Sequence, residues 1–232
     1  MKQKLNAVVV NAGCLLFFPE QGQAASHSDV MDSMLYVQLA ASKKHPKFAS
    51  FDKWNETWLA AAMSFGWMLK ASEHLSEPLP VDATETIWSC VRRVLAVSVT
   101  PELLDHAEQC LRKACTPPSG NRAIQLLANQ ALEHGTDQVG QVQSLVALQA
   151  GLVDERNNLT LVQLHFVTRQ PLSDGFLFDV LEPANTVGNI SLTFYSLHLM
   201  DLVYLQFRDK ISSALATRRV SLIEKLIEVS DV

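Results

Sequence analysis

The hydrophobic period of this chain changes near Gly135. Between residues 28 and 135 apolar side chains recur at steps of three and four, the spacing of helices that bury one stripe. From Val139 to Ile211 they alternate with polar residues, the spacing of strands half buried on one face. Blocks of separate period predict an α+β fold, one domain spanning residues 1–232 in which layers of helical hairpins flank a long, mostly antiparallel sheet. With 232 residues, 48% of them hydrophobic, the chain can bury a sizeable core.

Ser28 or Asp29 is expected to cap a first helix with Val30, Met31, Met34, Leu35 and Leu39 inward. Ser50 opens a second, where Phe51, Trp54, Trp58, Ala62, Phe65 and Leu69 make one aromatic face; Trp67 falls off that stripe and is expected at the surface. Asp82 and Glu85 have capping-box spacing ahead of a helix through Ile87, Val91, Val94 and Leu95. Thr100-Pro101 starts the next, which carries Leu104, Ala107, Leu111 and Ala114 as far as Pro117-Pro118. A fifth, with Ile124, Leu127 and Ala131 inward, is expected to stop at Gly135 as a left-handed cap.

The strand block divides into 139–153, 158–168 and 189–211, with a turn at Arg156-Asn157-Asn158 and a shorter strand through Phe176, Phe178 and Val180. Asp201 is the break within the third segment, and 197–211 also fits a helix. A closing helix is expected over 214–229. Residues 5–10 and 14–18 read as short buried strands, or as part of a secretory signal cleaved near Gly22-Gln23-Ala24. Cleavage would make the protein secreted, and retention leaves it cytoplasmic until release.

Several functional classes find little support. A net charge of −5 and a pI near 5.8 argue against a nucleic-acid partner, which would call for clustered Lys and Arg. No nucleophile elbow, phosphate loop, HExxH, paired CxxC or dinucleotide fingerprint occurs, so no catalytic residue and no cofactor is assigned. Glu102, Asp105, His106 and Glu108 share a helix start, where carboxylates gather for electrostatic reasons alone. His106, Cys110, Cys115 and Cys90 offer soft ligands without zinc-knuckle spacing, and no metal is assigned. His165 and His198, among apolar neighbours, read as structural, and the sequons at Asn55, Asn158 and Asn189 are too common a pattern to imply processing.

The strand segments, by contrast, reach or exceed the ~9 to 11 residues of a tilted bilayer-crossing strand. In element order the chain resembles the cytolytic delta-endotoxins, the Cyt-type insecticidal toxins. The resemblance runs through Ala7-Val8-Val9-Val10 with Phe17-Phe18-Pro19-Glu20, the helix pair from Ile87 to Ala114, and the strand succession that begins at Leu159. It implies a non-enzymatic bacterial toxin or virulence factor that binds the membrane lipid of a target cell, associates there into homo-oligomers, and forms pores or disrupts the bilayer. The lipid-facing residues it implies are Val142, Val146, Leu148, Val162, Leu164, Phe166, Ile190, Leu192 and Phe194, with Trp67 as an exposed aromatic. The competing expectation is a non-catalytic partner-binding protein whose helices never leave the sheet.

Overall fold

The computed structural model describes residues 4–20, 24–82, 84–116 and 121–226. The fold is α+β: helical layers pack on both faces of one mixed, eight-stranded sheet. In chain order the strands are β1 (Leu5–Asn11), β2 (Cys14–Pro19), β3 (Trp67–Glu77), β4 (Leu132–Thr136), β5 (Val142–Val153), β6 (Asn158–Thr168), β7 (Thr186–Leu199) and β8 (Ile223–Lys225). They lie side by side as β3-β7-β6-β5-β2-β1-β8. β4 and β2 share one edge of β5, β4 along Val142–Val146 and β2 along Gln149–Leu152. The β2–β5 pair is parallel and the other ladders are antiparallel.

Helices α1 (Ala24–Lys44) and α2 (Phe51–Ser64) form a hairpin over one face, together with α6 (Asp201–Tyr204) and α7 (Arg208–Leu215). The other face carries α3 (Ile87–Leu95), α4 (Pro101–Cys115) and α5 (Arg122–Ala131). A short α8 (Arg219–Leu222) leads into β8. Because both faces are covered, the inner strands bury residues of both parities. Val9 and Leu16 point into the α1–α2 core, whereas Val10 and Leu15 point into the α3–α5 core.

Several boundaries differ from the sequence reading. The second helix ends at Ser64 and does not continue to Leu69. Gly66, at φ +100°, supplies the left-handed residue past its C-terminus, and the chain turns into β3. This turn puts Trp67 inside: it is 1% exposed, against the α1–α2 face, and its Nε1 donates to Ser33 Oγ at 3.2 Å. Gly135 is not a cap. The fifth helix ends at Ala131 and passes straight into β4, where Gly135 pairs with Gln143.

The first helix starts at Ala24, ahead of Ser28 and Asp29, and Asp29 instead pairs with Arg208. Thr86 caps α3 through a capping box with Ser89, in place of Asp82 and Glu85. Phe176–Phe178 is one turn of 3-10 helix, held by Ser173 Oγ and the Ser173 N–H donating to Asp179 at 2.7 and 2.6 Å. Val180 makes only an isolated bridge to Thr86. The third strand stops at Leu199, where Asn157 Nδ2 donates to Asp201 Oδ1 at 2.9 Å and the chain coils into α6. The closing segment is α7, α8 and a strand, not one helix. Val229, Pro117, Pro118, Gly22 and Gln23 lie outside the described residues.

Candidate functional site

The residues singled out as lipid-facing divide cleanly. Val146, Leu148, Val162, Leu164, Phe166, Ile190 and Leu192 all lie in the α3–α5 core at 0–3% exposure, and Phe194 packs against it half-buried. Cross-strand register arranges them in rows. Leu148 faces Leu164, which faces Leu192, which faces Leu75; Ala150, Val162 and Phe194 make the next row and end at Glu73. Val146 and Phe166 pair in a third row. Val142 does not belong: it stands at the start of β5, paired with Thr136 beyond the helical cover, and is 70% exposed. With Trp67 buried on the opposite face, eight of the ten expected residues converge on one apolar band.

The height of that band decides what it can do. One side is closed by the polar row Ser144, Thr168 and Thr186, the other on β6 and β7 by Thr160 and Ser196, while on β5 Leu152 carries the band one row further. The apolar stretch on β6 therefore runs from Val162 to Phe166, about 13 Å at ~3.3 Å per residue. Spanning β-barrels present an outward apolar band of about 25 Å.

On the α1–α2 face the polarity is reversed. One register row reads Asn11, Cys14, Gln149, Gln163, Thr193 and His74 across six adjacent strands, polar at every position but Cys14. The first four of these are no more than 1% exposed and Thr193 is 7% exposed. Nearer the β5–β6 turn the same face becomes apolar, with Val153, Leu159, Leu161, Leu197 and Leu199. Neither face is apolar over the full length of the strands.

The two covers are fastened differently. Within the layer over the polar row, Arg208 of α7 forks onto Asp29 of α1 and Arg219 of α8 onto Asp32, with Nε distances of 2.9 and 2.5 Å, and Trp54 donates to Ser42. That layer meets the sheet where Asn11 Nδ2 donates to the Met31 carbonyl at 2.7 Å, Gln38 Nε2 to the Asn11 carbonyl at 3.0 Å, Trp67 Nε1 to Ser33 and Asn55 Nδ2 to the Tyr195 hydroxyl. Over the apolar band the links to the sheet are of a different kind, mostly exposed ion pairs. The Leu5 N–H donates to His106 Nδ1 at 2.9 Å, Arg93 pairs with Glu77 at 2.8 Å, and Arg122 pairs with Glu224 at 2.9 Å. The acidic group at the start of α4 is tied up structurally. Asp105 and Glu108 each hold Arg92 at 2.6 Å; burial alone would raise the Glu108 carboxyl, but bonds from Arg92, Arg112 and Trp88 hold it below the usual range.

A groove opens where α3 meets the β3 edge. Leu75, Leu192, Phe194, Val94 and Val97 line a half-open cavity of about 240 Å³, with Glu73 and Arg93 at its rim. Arg93 also borders a second cavity of about 250 Å³ beside Ile190, Cys90 and Pro80. The groove is not legible in the sequence: helical spacing from Phe51 extends to Leu69, past the end of α2 at Ser64, and the largely exposed stretch from Lys70 to Glu77 carries no burial pattern of a strand.

Burial pushes the Cys90 thiol up to about 12, reinforced by Glu85, and the Cys115 thiol up to about 11, reinforced by Asp179, so neither is an activated nucleophile. Among the described residues no three His, Cys, Asp or Glu side chains stand together as a metal site, and no helix is long and apolar enough to cross a membrane. His165 stacks on Phe51 at 4.2 Å between ring centroids, and burial holds its imidazole below the usual value.

No family model matches the chain, and no curated protein matches it. Among solved structures it is similar to the one titled "Structure of the Evf virulence factor", at 12% identity and a TM-score of 0.38, over 90% of this chain and 82% of that one.

Proposed function

We propose that this is a non-enzymatic, membrane-active protein of toxin or virulence type, and that it acts by uncovering the apolar band of β5, β6 and β7 against lipid. One observation carries the reading: an uninterrupted apolar band on long antiparallel strands, buried beneath a helical layer with few polar links to the sheet. Moving α3–α5 aside would expose several apolar rows at once, and lipid supplies the apolar surroundings that water does not. A band of about 13 Å matches the acyl region of one leaflet better than a full crossing, so the geometry favours bilayer disruption over a spanning β-pore. Dye-loaded vesicles of neutral lipid, with and without anionic lipid, test this. Release that grows with protein concentration is expected, and intact vesicles at micromolar protein in both compositions would refute it.

A second reading has its own support. The groove beside Arg93 presents Leu75, Val97 and the half-buried Phe194 without any opening of the cover, as a partner-binding protein with a permanent helical layer would. Intact vesicles together with saturable binding of a partner to that groove would favour it.

A further inference from the structure

The apolar rows of the α3–α5 face run out to an open edge. β3 ends the sheet order beside β7, and among the described residues no strand pairs with its other side. On the α3–α5 face β3 presents Glu73, Leu75 and Glu77, whose register neighbours on β7 are Phe194, Leu192 and Ile190. Leu75 is therefore the outermost member of the row that begins at Leu148, and it is 37% exposed. Beside it the half-open cavity of about 240 Å³ is walled by Val94 of α3 and by Val97 just beyond the helix, itself 81% exposed. From Ala71 to Glu77, past the register shift near Leu69, the strand pairs with β7 residue by residue. Alternate N–H and C=O groups over that stretch consequently turn outward with no strand to meet them.

The charges on the edge select what can meet it. Glu73 has no ion pair among the described residues, and Glu77 is paired with Arg93 at 2.8 Å. A second copy of β3 is a poor match. The antiparallel register that would complete the Leu75 row with another Leu75 sets Glu73 against Glu77 on either side of it, and like charges directly opposite destabilise a strand pair.

We infer that the β3 edge accepts an added strand from a partner protein, an extended segment with the pattern basic, any, apolar, any, basic. Its apolar residue stands opposite Leu75 and becomes the next member of the row through Leu148, Leu164 and Leu192; its basic residues stand opposite Glu73 and Glu77. Main-chain hydrogen bonds supply affinity, and these three positions supply selectivity, as in other cases of strand addition. The opposite face of the edge, Ser72, His74 and Ser76, is polar and makes no such demand. The inference gives the second functional reading its partner and does not draw on membrane activity; peptide capture and dye release are separate measurements, so either can fail alone.

The test takes the full chain at neutral pH with the peptide acetyl-Thr-Thr-Lys-Thr-Val-Thr-Lys-Thr-Thr-amide, and a counterpart with Glu in place of both lysines. Amide hydrogen exchange, followed by NMR, should slow at alternate residues between Ala71 and Glu77 as the lysine peptide is added, and the effect should saturate. Glu73→Lys, a change at an exposed position, should weaken that binding about fivefold and let the glutamate peptide bind more tightly than it binds the wild type. Unchanged exchange along β3 at millimolar lysine peptide would overturn the inference, and so would equal slowing by both peptides. Slowing of the β3 amides that grows with protein concentration, without any peptide, would also overturn it by assigning the edge to a second copy.

Discussion

At the scale of residues, Trp67 shows how local geometry overrides periodicity. It sits off the α2 stripe in sequence, yet the left-handed Gly66 redirects the chain and delivers the indole to the core. Trp67→Ala should cost about 3–5 kcal/mol, the usual price of emptying a large buried site, measured by denaturant unfolding; a surface tryptophan would cost little. Gly66→Ala should also destabilise, by about 1–3 kcal/mol, because φ is +100° and a Cβ would meet Tyr204 backbone at 3.1 Å. Lys47 gives a pH signature of definite sign. Burial lowers its amine from 10.5 to about 7, so between those values the unfolded chain binds the proton and the folded chain does not. Its contribution to stability should therefore increase as pH rises from about 7 toward 10.5, and Lys47→Met should lack that component of the profile.

At the scale of elements, β5, β6 and β7 from Asn189 onward were legible because apolar residues alternate along one face of each, while the start of β7 at Thr186 lies in what reads as a loop. The elements that escaped reading are those where tertiary contacts decide. β3 is an edge strand whose residues beyond Trp67, among them Lys70, Ser72, Glu73, Ser76 and Glu77, are largely exposed on both faces, so it carries no burial pattern to detect. At α6 the sequence allows both strand and helix over 197–211 with a break at Asp201, and Asn157 holding Asp201 from another turn goes with the helix. The site was legible as an apolar face but not in its height, since the closing rows, such as Thr160 with Ser196, appear only once register is known. The cover over that face should loosen without unfolding. Arg93→Gln with Arg122→Gln removes two exposed links to the sheet, pairs of a kind worth about 0–1 kcal/mol each, so the melting temperature should hardly change. Vesicle leakage should increase; leakage equal to wild type would mean that these pairs do not restrain α3–α5.

At the scale of the whole molecule, one sheet separates two cores of opposite character. One layer covers an apolar band and meets the sheet mainly through exposed ion pairs; the other covers a polar row, is braced internally by two Arg–Asp forks, and meets the sheet through the more buried bonds of Asn11, Gln38 and Trp67. This asymmetry makes α3–α5 the layer expected to move, and the tryptophans report on it individually. Of the four, Trp54, Trp58 and Trp67 belong to the α1–α2 core, whereas Trp88 lies on α3, packed edge-on against Phe17 at 5.8 Å. The most direct measurement is ¹⁹F NMR of the fluorotryptophan-labelled chain, with and without lipid vesicles. Opening of α3–α5 should move the Trp88 resonance and leave the other three in place. Dye release with an unmoved Trp88, or with displacement of the other three instead, would contradict it.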